Sequence, residues 1–185
     1  MCIRDSIQTR NANYNTIHPD RLIEDWPEEI RTRIRIGDWE GDTIYGGIGK
    51  GFAATMVDRK SRYLAAARIL TCRPDDTSNA IYKALDGLPV KSISLDNGSE
   101  FSSFRQMEKH FKAPIYFAKP HAPWQRGTNE NTNGLLRFFF PKGCDFRVIS
   151  DEDLDRVIAL LNNRPRKCLD WKTPAEIFFT GVALD

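Results

Sequence analysis

Residues 93–101 read ISLDNGSEF. Ile93 and Leu95 alternate with Ser92 and Ser94, the period-two pattern of a strand with one apolar face. Asp96 then closes the run, and Asn97-Gly98 is a dipeptide that turns a chain away from a strand. The strand therefore delivers a carboxylate at its tip, with Glu100 four residues further on. Taken alone, an Asp-Asn-Gly turn accounts for Asp96 without any chemistry. The surroundings have to decide between a turn former and a ligand.

Upstream, GDWEGDTIYGG from 37 has strand texture, and KGFAATMVDR and SRYLAAARIL read as two more strands joined by a tight polar turn at 58–61. RPDDTSNAIYKALDGL opens with Pro74 and two aspartates, then spaces Ile81, Leu85 and Leu88 as a helix does. Downstream, SEFSSFRQMEKHF repeats aromatics at helical spacing, and PIYFAKP is a short strand. A helix is expected from about Gln125 to Pro141, another over SDEDLDRVIALLNNRPR with an acidic first turn, and a last helical turn at TPAEIFF. Three strands followed by β-α-β units imply an α/β fold, a mixed sheet flanked by helices. Residues 36–185 are expected to form one domain. Residues 1–35 are expected to be a tail and linker with at most one short helical turn. MCIRDS at 1–6 matches the translation of a transposon-end sequencing adapter and is expected to be an artefact foreign to the fold.

Bulk properties narrow the class. A chain of 185 residues, 41% of them hydrophobic, is long enough to bury a core. Formal net charge is only +2, so any nucleic-acid surface has to be local. Cys2, Cys72, Cys144 and Cys168 form no C-x-x-C pair, which suits reduced thiols in a cytoplasmic protein. The longest apolar runs are far too short to span a membrane.

Three acids stand out by placement. Asp42 ends the WEGD of the first strand, Asp96 tips the fourth, and Glu130 lies on the helix after Gln125. Sites in α/β domains gather at strand ends and adjoining helix starts. If the first and fourth strands are neighbours, the three carboxylates can converge on hard cations such as Mg²⁺, which favour oxygen ligands. Arg126, Asn133, Gly134 and Arg137 share the helix face of Glu130, a suitable setting for a phosphate backbone. Thr128, Thr132, Leu135 and Phe139 form the neighbouring stripe expected to pack on the sheet. Plainer readings stand beside these. Asp38 and Glu40 are as acidic as Asp42, and Glu130 can be a surface acid paired with Arg126 or Arg137.

WEGD, SLDNGSEF and WQRGTNENTNGLLRFFFPKG together resemble the catalytic domain of bacterial insertion-sequence transposases, nearest the insertion-sequence-thirty family within the retroviral-integrase-like group. LNNRPRKCLDWKTPAEIF is similar to that family's tail, so the resemblance covers about residues 35–180. It implies an RNase H-like fold and a D,D-33-E triad, and 33 residues do separate Asp96 from Glu130. By that carry-over Asp42, Asp96 and Glu130 are catalytic and bind two Mg²⁺ ions, with Mn²⁺ as a substitute. Arg126, Asn133 and Arg137 are the expected DNA contacts. The implied function is a DDE transposase that cleaves and joins DNA strands on transposon-end and target duplexes, as a homo-oligomer in the bacterial cytoplasm. A nuclease of the same fold and an inactive DNA-binding or self-associating fragment are the alternatives.

Several motifs carry less. GGIGKG at 46–51 lacks the spacing and the Ser or Thr of a phosphate loop. His121 is left outside the catalytic set, and Trp124 serves equally as a base-stacking ring or a helix-start anchor. RTRIR at 31–35, DRKSR at 58–62 and NNRPRK at 162–167 are basic clusters that each suit a solvated face as well as a phosphate.

Overall fold

A computed structural model describes residues 19–71, 73–119 and 127–183. Five strands form one sheet in the order β3-β2-β1-β4-β5. They are β1 (Asp38–Tyr45), β2 (Phe52–Asp58), β3 (Leu64–Ile69), β4 (Ser92–Leu95) and β5 (Ile115–Phe117). The β1-β2 and β2-β3 pairs are antiparallel, whereas β4 runs parallel to both β1 and β5. The helices are α1 (Glu28–Thr32), α2 (Pro74–Ala84), α3 (Phe104–Phe111), α4 (Gly127–Phe139), α5 (Asp151–Asn162) and α6 (Pro174–Val182). The expected mixed sheet with flanking helices is what forms.

Residue parity divides the core. Trp39, Ala54, Met56, Ala65, Ala67, Ile93 and Leu95 face one side, where they meet Ile81 of α2, Met107 of α3 and Phe178 of α6. Ile44, Ala53, Val57 and Leu64 face the other side, against Leu136 of α4, Phe140 just after it, and Leu154 and Leu161 of α5. On α4 the buried positions are Thr128, Asn129, Thr132 and Leu136, continued by Phe140 just past its end. The packing stripe thus runs one position beyond the expected one at its C-terminal end, and Phe139 stays 39% exposed. Pro141 stands two residues past the helix end, as expected of a residue without an N–H.

Part of the expected linker is built into the domain. Ile23, Trp26 and Ile30 pack with Tyr116 and Ala118 as a third buried cluster, and Leu22 bridges to Phe117 alongside β5. Residues 1–18 lie outside the described residues.

The outer edge of the sheet has a specific closure. Asn162 of α5 donates from Nδ2 to the Leu64 carbonyl at 2.8 Å and accepts at Oδ1 from the Leu64 N–H at 2.8 Å. The amide thus supplies the pairing that a sixth strand would give at that residue. Replacing Asn162 with Ala strands a buried donor and acceptor, each costing on the order of 1–3 kcal/mol. Urea unfolding is expected to show a loss of roughly 2–4 kcal/mol for Asn162→Ala. The exposed neighbour change Asn163→Ala should stay within about 0.5 kcal/mol of the wild type.

Candidate active site

The parallel β1-β4 ladder sets the site. Its register pairs Asp38 with Ser92, Trp39 with Ile93 and Glu40 with Ser94. Asp42 and Asp96 each stand two residues past the last pair, so they leave the two strands at the same end and on the same face. Gly41 between Glu40 and Asp42 lets Leu95 and Met56 pack close against the strand. A Cβ there would lie 2.6 Å from Leu95 Cδ2 and 2.9 Å from Met56 Sδ.

The other acids of β1 are used internally. Asp38 accepts from Arg35 Nε at 2.9 Å and from Ser92 Oγ at 2.6 Å. Glu40 forms a buried ion pair with Arg59, whose guanidinium also lies 3.9 Å over the Trp26 ring and donates from Nε to the Ile30 carbonyl. Burial lowers the Arg59 pKa, and the Glu40 carboxylate opposes that shift. Asp42 is different: it is half-buried on the part of β1 that runs beyond its last pair with β4.

Asp42 is held by α4. Asn133 Nδ2 donates to Asp42 Oδ2 at 2.8 Å, and the Thr43 N–H donates to Oδ1 at 2.9 Å. Asn133 Oδ1 is buried and without a hydrogen-bond partner. Asn129, one turn earlier, donates to the Glu40 carbonyl at 3.1 Å, and Arg137 donates to the Tyr45 carbonyl at 2.8 Å. One edge of α4 is thereby fastened along β1, with Glu130 exposed on the same helix one turn before Asn133. Arg137 is half-buried, its Nη1 has no partner, and burial lowers its pKa. Arg126, His121 and Trp124 lie outside the described residues.

Asp96 is oriented by the turn that follows it. The Gly98 N–H donates to Asp96 Oδ1 at 2.9 Å, an Asx turn. Asn97 Nδ2 donates to the Ala118 carbonyl at 2.6 Å and pins the exit of β4 to the end of β5. Glu100 reaches back toward β1. Its carboxylate accepts from Thr43 Oγ1 at 3.1 Å, beside Asp42, and Glu100 Oε2 and Asp96 Oδ1 both lie within 3 Å of the point a Gly98 Cβ would occupy. The sequence signal for this was present in the short Asp96–Glu100 spacing.

Asp42 with Asn133, and Asp96 with Glu100 nearby, thus stand at the same end of the β1-β4 pair. Among the described residues no three acidic, histidine or cysteine side chains come together as a metal cluster, so Glu130 does not complete a closed set with the two aspartates. Asp42 and Asp96 are half-buried hard-oxygen donors at one end of the ladder, the partnerless Asn133 Oδ1 belongs to the amide that holds Asp42, and Mg²⁺ commonly takes only one or two protein carboxylates. The residues present fit such an ion.

The chain is 41% identical over 165 residues to transposase InsI of insertion sequence element IS30A from Escherichia coli strain K12, an alignment covering 88% of this chain and 43% of that protein. It is 37% identical over 163 residues to a probable transposase for the insertion-like sequence element IS1161 of Streptococcus salivarius, covering 87% of this chain and 47% of that protein. This chain is a homologue of the IS30-family transposases. It spans less than half the length of these relatives. No protein-family model matches it. Among solved structures, the catalytic core domain of BIV integrase superposes with a TM-score of 0.61 at 18% identity, over 80% of this chain and 96% of that one. That likeness shows the fold, which is RNase H-like. Among the described residues no helix is long and apolar enough to cross a membrane.

The acids on β1 of this transposase homologue should separate by stability. Glu40→Ala leaves the Arg59 guanidinium buried and unpaired, at a cost of roughly 3–5 kcal/mol. Asp42→Asn keeps the shape of its side chain and is expected to stay within about 1 kcal/mol of the wild type in the same denaturation.

Proposed function

We propose that this chain is the catalytic domain of a DDE transposase that cleaves DNA strands and joins them to a target. The observation that carries the reading is the register of β1 on β4, which brings Asp42 and Asp96 to one end and one face of the sheet. The homology to insertion-sequence transposases supports the same chemistry.

In this reading Asp42, Asp96 and Glu130 form the acidic triad. Asp42 and Asp96 hold divalent cations, two Mg²⁺ with Mn²⁺ as a substitute, and Glu130 completes the set when DNA is present. Bound there, Mg²⁺ lowers the pKa of water and neutralises charge on the leaving oxygen. The chain's own residues supply position. Asn133 and the Thr43 amide fix the two Asp42 oxygens, and the Gly98 amide fixes Asp96 Oδ1, so neither carboxylate has to reorganise when the phosphate arrives. Asn133, Arg126 and Arg137 flank the triad on α4 and contact the DNA backbone. No protein nucleophile is required.

The reaction consists of two displacements at phosphorus. A water oxygen attacks the scissile phosphate, the bond from phosphorus to the 3′ oxygen breaks, and a 3′-hydroxyl and a 5′-phosphate result. That 3′-hydroxyl then attacks a target phosphodiester, forming a new phosphodiester and releasing a 3′-hydroxyl on the target. The second step exchanges one ester for another and needs no external energy source. Transposon-end and target duplexes are the substrates, and further copies of the chain are the partners that hold two ends together.

The test uses a labelled blunt duplex with a free 3′-hydroxyl, a supercoiled plasmid and Mn²⁺. Label is expected to become covalently joined to the plasmid by the wild type, with a loss of at least ~100-fold in Asp96→Asn, whose folding is checked by thermal unfolding. Plasmid nicking without joining would assign a nuclease instead. Duplex binding with neither product would reduce the chain to a DNA-binding fragment.

A further inference from the structure

Three basic clusters far apart in the chain meet at one cavity. Arg33 from the C-terminal cap of α1, Arg62 from the β2-β3 turn, and Arg166 and Lys167 from the segment after α5 line a cavity of about 350 Å³. Thr128, Asn131 and Thr132 of α4 and Cys168 complete the lining, and among the described residues no carboxylate lines it. Four cationic side chains in one partly enclosed space repel one another unless an anion enters.

Independent details point the same way. Burial lowers the pKa of Arg62, with Arg33 adding to the effect and Glu40 and Asp58 pulling the other way behind it. Burial also lowers that of Arg166, whose Nε is buried without a partner. Arg33 at φ 57° and Arg62 at φ 64° both sit in the left-handed region, uncommon for residues other than glycine. Backbone strain of this kind is kept where the surroundings over-determine it, and here it presents two arginines to the same space. Arg62 Nη1 donates to Thr128 Oγ1 at 2.7 Å, which ties the cavity to the first turn of α4. The positive end of the helix adds to the field. Asn129, the next residue, bonds β1 instead. The cavity and the carboxylate site therefore lie on adjoining flanks of one helix.

We propose that this cavity is a docking site for a phosphodiester of the DNA backbone, holding a duplex across the N-terminal half of α4 toward Asp42 and Asp96. The choice of DNA among phosphate bearers rests on the transposase reading. The geometry alone calls for a phosphate-like anion, and a backbone phosphate satisfies several cations at once through charge-assisted hydrogen bonds.

The test measures binding of a random-sequence duplex by fluorescence anisotropy between about 50 and 200 mM salt, without divalent metal. Arg33→Gln and Lys167→Gln are each expected to weaken binding by about 3- to 10-fold and to flatten the log–log salt slope by up to about 0.9 for a lost phosphate contact. Lys109→Gln, on the exposed surface of α3 across the sheet, is the control and should match the wild type. Slopes for both cavity variants equal to the control would overturn the assignment. So would an unchanged duplex affinity combined with a lost affinity for inorganic phosphate, which would make the cavity a free-anion site. Absence of any duplex binding by the wild type would also overturn it. Mn²⁺ binding at Asp42 and Asp96 is read separately, so that failure would not be confused with failure of the catalytic reading.

Discussion

The parallel pairing of β1 with β4 is the constraint on which the other features depend. A parallel ladder can be entered only through a crossover, and here the antiparallel β2-β3 excursion and α2 supply it between the two strands. Once Glu40 is set against Ser94, Asp42 and Asp96 have no freedom to choose faces. A slip of one residue that set Asp42 in the place of Gly41 would turn it toward Leu95 and Met56 and put Thr43 where the carboxylate stands, losing both the packing and the carboxylate. Buried charge on the same face of β1 is neutralised by Arg35 and Arg59. Arg59 reaches the Ile30 carbonyl and the Trp26 ring, so residues 22–30 help close the domain beneath its own site.

The helix α4 is the second positioning element. Its buried side carries Leu136 into the core, with Phe140 following at its end, which fixes its rotation. With rotation fixed, Asn129, Asn133 and Arg137 meet β1 at intervals of one turn, and Thr128 meets Arg62 on the adjoining flank. Gly134 is exposed, and a Cβ added there would meet no atom of the chain within 4 Å. Helix stability alone would favour Ala at that position by about 1 kcal/mol. The glycine leaves room for a close approach from outside, the expectation raised by its place on the face of Glu130.

Local patterns carried most of the fold. Alternation along the strands gave them their faces, and the acidic first turns of α2 and α5 made their starts legible, whereas the caps that Ser150 and Thr173 supply came only with the structure. Ile23, Trp26 and Ile30 were already spaced three and four apart, but a five-residue helix among prolines and charges offers too little periodicity to stand out from a linker. Asp42 could not be told from Asp38 and Glu40 by pattern, because the difference lies in partners from Arg35, Arg59 and Asn133 that sequence spacing does not pair. The same holds for Arg33, Arg62 and Arg166. Each sits in an ordinary basic cluster, and only the folded chain brings the three together.

The most direct test of the central claim, that Asp42 and Asp96 form a cation site, is a Mn²⁺ titration followed by water-proton relaxation. It compares the wild type with Asp42→Asn and Asp96→Asn and needs no knowledge of the DNA ends. Saturable binding in the wild type, weakened about 10-fold or more by each substitution in proteins that unfold at the wild-type temperature, is the predicted result. Equal binding by all three proteins would contradict the account and leave Asp96 as a turn former at the end of a strand.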